Sequence, residues 1–94
     1  MERITISLAN NDHYVVEETK IQHHVNGYSG DAISKLAKFE NFYDNLMLTQ
    51  SQISTELEKL RSEGKTNSVK FKQLLANKMA NNNIIILLKT YGLE

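Results

Sequence analysis

The stretch "KLAKFENFYDNLMLTQSQISTELEKL", residues 35–60, decides how this chain folds. Extended to residue 32, large or small apolar side chains fall at 32, 36, 39, 43, 46, 53, 57 and 60, at alternating steps of four and three that only Gln50 interrupts. That period keeps one flank of a helix turned towards a neighbour for four heptads. The expected seam is therefore Leu36, Phe39, Tyr43, Leu46, Gln50, Ile53, Leu57 and Leu60. Gln50 has two readings. A polar residue in a seam specifies register or oligomeric order at some cost in stability; alternatively, the helix is exposed there.

The helix that carries this stripe is expected to run from 31 to 63. Ser29 or Asp31 can accept from the free N–H groups at its start, and Gly64 can take the left-handed conformation at its end. Thirty-three residues at 1.5 Å each reach roughly 50 Å. A second helix is expected over 67–91, with Thr66, Asn67 and Ser68 as candidate caps and Gly92 as its stop. Phe71, Leu75, Met79 and Ile85 are expected to face the seam. Asn81, Asn82 and Asn83 are weak helix formers and good caps, so a kink or a fresh helix start near Asn82 is expected. The apolar run over 84–88 suits a buried helix, and its β-branched residues also suit a strand.

Before the first helix, residues 1–30 alternate with period two. Ile4, Ile6 and Leu8 oppose Arg3, Thr5 and Ser7, and "HYVVE" and "TKIQHHV" continue the alternation. Asn10, Asn11 and Asp12 form one turn signal and Asn26-Gly27 another. The reading is α+β in a single domain over 1–94: a short antiparallel β meander of two or three strands, then a long antiparallel helical hairpin.

Composition narrows the function. There are 94 residues, no Cys, no Pro, four Gly, and 11 basic against 11 acidic residues, for a net charge of zero. Disulfides and thiolate metal sites are excluded, and no overall field draws in nucleic acid or an anionic membrane. The longest apolar run is five residues, against the 20 or so that span a bilayer. The opening "MERITISLANN" lacks a signal-peptide core. A cytoplasmic location with no membrane partner is expected.

No phosphate-binding, dinucleotide-binding or nucleophile-elbow motif occurs. No catalytic residue and no cofactor are expected. His13, His23 and His24 are the only histidines. His23 and His24 point to opposite sides of a strand, so they cannot easily share one metal ion; no metal site is expected.

Residues 31–63 hold four bases and six acids, and residues 64–93 hold five lysines and no acid. Opposite charge favours the two helices lying together. Yet about 25 residues of second helix cover only roughly 38 Å of a 50 Å partner. Ile33, Phe42, Met47 and Leu48 also lie off the seam and widen its apolar arc. A chain this short often needs a partner to bury enough surface. The expected function is protein–protein interaction or assembly without catalysis, with self-association through the helices. The alternative is a small nucleic-acid-binding protein using Lys70, Lys72 and Lys78, although Lys70 and Lys72 sit about 200° apart on a helix.

The strand opening "MERITISLANNDHYVVEE" and the helical close "KFKQLLANKM…IILLKTYGLE" resemble small uncharacterised proteins of phages and prophages of Gram-positive bacteria. That resemblance implies a role in virion assembly, an accessory role or a host interaction, and a phage or host protein as partner.

Overall fold

The computed structural model describes residues 1–9 and 13–94. The turn read over Asn10, Asn11 and Asp12 lies outside the described residues. The chain divides into two compact units, Met1–Asn41 and Phe42–Glu94. The architecture is α+β, with short antiparallel hairpins followed by a helical hairpin.

In the first unit, β1 (Thr5–Ser7) pairs antiparallel with β2 (Tyr14–Val16), setting Ile6 beside Val15 and Ser7 beside Tyr14. The Arg3 guanidinium lies 5.6 Å from the centre of the Tyr14 ring, a cation–π contact that covers one face of the ribbon. A 3₁₀ turn, Glu18–Lys20, ends the ribbon. Then β3 (Gln22–His24) pairs with β4 (Gly27–Ser29), with His23 opposite Tyr28. In place of a single meander of two or three strands, the described residues form two separate two-stranded ribbons. The added strand is β4. Gly27 and Ser29 are weak strand formers, so period-two reading stops at Val25. The Asn26-Gly27 signal is nonetheless a hairpin turn, which folds Tyr28 back onto His23 with the rings edge-to-face, 5.5 Å apart.

α1 (Asp31–Ser62) is one uninterrupted helix. Its cap corrects the expected one: neither Ser29 nor Asp31 holds that place. The Gly30 carbonyl accepts from the Ser34 N–H at 2.9 Å, so Gly30 precedes the helix and Asp31 is its first residue. Asp31 acts there as a charge, favourable at the positive end of the helix dipole, and its carboxylate lies 3.9 Å from the Lys20 ammonium.

The far end of α1 is as expected. The Gly64 N–H donates to the Arg61 carbonyl at 3.0 Å and the Lys65 N–H to the Leu60 carbonyl at 2.8 Å. With Gly64 at φ +70°, this is a Schellman stop. Ser68 is then chosen from the three cap candidates: its Oγ accepts from the Phe71 N–H at 3.1 Å and opens α2 (Val69–Thr90). A second Schellman stop, at Gly92, closes α2.

α2 runs without a break through Asn81, Asn82 and Asn83, and residues 84–88 are helical. The asparagines remain helical because the capping bonds that would compete are displaced. Asn82 spends its Oδ1 on Gln50 of the facing helix.

Candidate functional site

Within Phe42–Glu94, α1 and α2 pack along the seam. Ile53, Leu57, Leu60 and Phe71 form its dry core, with Leu74 against them. Leu57 is 1 % exposed. The core is closed on one side by a Lys70–Glu56 ion pair of 3.0 Å. On the other, the Arg61 guanidinium sits 5.5 Å from the Phe71 ring centre. The Lys70–Glu56 pair is an instance of the expected attraction between an acidic and a basic helix, and an exposed pair of this kind contributes about 0–1 kcal/mol.

Of the expected seam residues, Leu46, Gln50, Ile53, Leu57 and Leu60 are buried. Phe39 and Tyr43 are half-buried. Leu36 is 53 % exposed, so the stripe is continuous in sequence but dry only towards the hairpin loop.

Gln50 belongs to the seam, and the reading that left it exposed is corrected. It is 9 % exposed. Its Nε2 donates to the Lys78 carbonyl at 3.2 Å and to Asn82 Oδ1 at 3.1 Å. Its Oε1 is buried without a hydrogen-bond partner. This makes a polar layer between the apolar layers of Leu46 and Ile53.

On α2 the residues that face the seam are Phe71, Leu74, Lys78, Asn81, Ile85 and Leu88, which are buried or half-buried. Their steps are three, four, three, four and three. Phe71 and Ile85 were expected there. Leu75 and Met79 are not: Leu75 is 36 % exposed and Met79 61 %. Both periodicities are present in the sequence, and side-chain size alone favoured the wrong one. The seam carries Lys78 and Asn81, both half-buried, in place of large apolar residues.

Lys70, Lys72 and Lys78 do not share a face. Lys70 is held by Glu56, Lys78 lies half-buried at the seam and Lys72 is exposed.

The first unit holds an open recess of about 380 Å³ lined by Lys20, Lys35 and Lys38 with Glu2 and Asp31. Its charges are largely answered from within. Lys35 Nζ donates to the Glu2 carbonyl at 3.2 Å and Lys20 is drawn to Asp31. Among the described residues, no three of His, Cys, Asp and Glu come together as metal ligands. The His24 Nδ1 accepts from the Asn26 N–H at 3.2 Å. Among the described residues, no helix is long and apolar enough to cross a membrane.

What the hairpin offers is apolar surface. In Phe42–Glu94, the buried apolar side chains are Leu46, Ile53, Leu57, Leu60 and Phe71, whereas eleven large apolar side chains are more than a third exposed. Three of the eleven lie on α1, six on α2 and two beyond it, and after Met79 Lys89 is the only charged residue of α2. Sequence reasoning found the excess on α1, at Phe42, Met47 and Leu48. It missed Leu75, Met79 and Ile86, because two of them had been spent on the seam.

No family model matches this chain, and no curated protein or solved structure is similar to it.

Proposed function

We propose that this chain is a non-catalytic interaction protein that self-associates through its helices. In keeping with the resemblance to phage and prophage proteins, its setting is virion assembly, an accessory role or a host interaction. A phage or host protein is then a second partner. The observation that carries this reading is the excess of exposed over buried large apolar side chains in the hairpin. Single exposed apolar residues are ordinary on a protein surface, but contiguous ones mark contact surfaces. A helical stretch that is apolar on all sides, as α2 is over residues 84–88, is normally buried.

The test is mass in solution by light scattering at micromolar concentration, together with Leu46→Asp. A dimer or higher species is expected for the unaltered chain. Leu46→Asp is expected to abolish folding or association by burying an unpaired charge. A monomer at every concentration, or an unchanged melting curve and mass for Leu46→Asp, would overturn the proposal.

A further inference from the structure

Asn26 and Gly27 meet at the tip of the β3–β4 ribbon. The register closes with His24 opposite Gly27, so the loop is Val25 and Asn26 alone. Asn26 is exposed, and Val25 beside it is 89 % exposed. The Asn26 N–H donates to His24 Nδ1 at 3.2 Å, which holds its main chain, while its side-chain amide makes no hydrogen bond to the described residues. Gly27 has φ +135°, and even a β-carbon there would meet nothing within 4 Å. The side-chain carbonyl of Asn26 and the main-chain nitrogen of Gly27 therefore have open space in which to meet, and glycine adds no side chain to obstruct them.

The asparagines of the helical hairpin lack this freedom. Asn41, Asn45, Asn77, Asn81, Asn82 and Asn83 lie within α1 and α2, where the next N–H is spent on the helix ladder. Asn67 precedes Ser68, whose N–H donates to the Lys65 carbonyl at 3.2 Å. Gly27 instead belongs to the last rung of a ribbon only three pairs long. A two-stranded ribbon is marginal in water, and its end opens first.

We propose that Asn26-Gly27 is a self-modification site, at which Asn26 converts to aspartate and isoaspartate through a cyclic imide with Gly27. The Gly27 nitrogen, its proton taken by base, attacks Cγ of Asn26. The N–Cγ bond forms, the Cγ–Nδ2 bond breaks, and Nδ2 leaves as ammonia with a proton from water. Water then opens the ring. Attack at Cγ gives ordinary aspartate; attack at the main-chain carbonyl carbon of residue 26 leaves Cγ in the chain as isoaspartate. Nothing is oxidised or reduced, and water is the only co-reactant. Either product brings a negative charge to a chain whose formal net charge is zero. Isoaspartate also adds a carbon to the main chain of a two-residue loop, whose geometry sets the pairing of its strands.

The test is prolonged incubation of the whole chain at mildly alkaline pH, beside the same chain unfolded in urea and beside Asn26→Gln. Cleavage after lysine frees residues 21–35, in which Asn26 is the only asparagine. This peptide is expected to gain one mass unit and to separate into aspartyl and isoaspartyl forms, before the peptides that carry Asn67 or the helical asparagines change. Its rate in the folded chain is expected within about tenfold of the rate in urea, as for a rung that opens freely. Asn26→Gln, which would have to close a larger and slower-forming ring, is expected to leave the peptide unmodified. A folded chain whose peptide stays intact, lags the unfolded chain by more than that, or changes no sooner than the helical asparagines overturns the proposal. So does aspartate without isoaspartate, or an equal mass gain in Asn26→Gln.

Discussion

Gly30 is the residue at which the first unit is least tolerant. Its φ is +116°, and a β-carbon there would meet the Lys20 carbonyl oxygen at 2.6 Å. Both the backbone angle and the space exclude a side chain. Gly30→Ala is expected to destabilise this unit by about 1–3 kcal/mol through backbone strain alone. Thermal unfolding followed by the Tyr28 environment would show it, and an unchanged transition would count against the close approach. Nothing local in the sequence announces the contact, since the neighbour of Gly30, Lys20, lies ten residues back.

Glu63 and Lys65 make a second residue-scale case. Their side chains are 2.9 Å apart. The Lys65 hydrogen bond and charge hold the Glu63 carboxyl below its ordinary value of 4.5, and Glu63 holds the Lys65 ammonium above 10.5. A lowered acid contributes above the unfolded carboxylate range and loses that contribution as pH falls through the lowered value. A raised base contributes below 10.5 and loses it as pH rises through the raised value. Lys65→Met is expected to return Glu63 to the ordinary glutamate range in an NMR titration of its side-chain carbon. A curve that does not move would mean the pair is not formed in solution.

At the scale of elements, the helices were legible and the strands were half legible. The seam from Leu46 to Leu60 could be read from its period because burial on one side of a helix leaves no other pattern. Both helix stops could be read because Gly64 and Gly92 follow apolar periodic stretches that they alone can end. The helix does not start afresh near Asn82 but continues through it. Propensity disfavours three asparagines in a helix by a few tenths of a kcal/mol each, and the bond from Gln50 to Asn82 and the flanking apolar turns outweigh that.

The cost of Gln50 also belongs to this scale. Its Oε1 is buried without a partner, whereas Lys78 is a helical residue whose backbone is not dependent on Gln50. Gln50→Leu is therefore expected to leave the hairpin as stable or more stable, by about 1 kcal/mol. If Gln50 sets register, the same variant should broaden the distribution of oligomeric masses. A large loss of melting temperature would instead show that Gln50's two donated bonds outweigh its orphaned oxygen.

At the scale of the whole molecule, the balance of exposed and buried apolar residues governs behaviour. A hairpin with a core this small is expected to gain stability from a partner by mass action, so its melting temperature should rise with protein concentration. The self-association proposed above rests mainly on apolar surface. Raising salt from about 0.1 M to about 1 M should leave the mass unchanged, since screening acts on charges and not on buried apolar area. Dissociation by salt would point to the lysines of α2 as the contact instead.

By itself, the sequence determined that two long helices form, where they stop, that they lie together, and that strands precede them. Period, glycine stops and charge sign are local or additive signals, and they survive without knowledge of neighbours. Only the tertiary structure decided which of two equally periodic stripes on α2 meets α1, that Gln50 is covered, that Gly30 rather than Ser29 caps the long helix, and that Tyr28 belongs to a fourth strand. The first two turn on contacts between helices, ten or more positions apart in sequence, whose energy depends on fit; the other two turn on the pairing of Tyr28 with His23 and the bond from Ser34 to Gly30, and none of these appears in the period of a single segment.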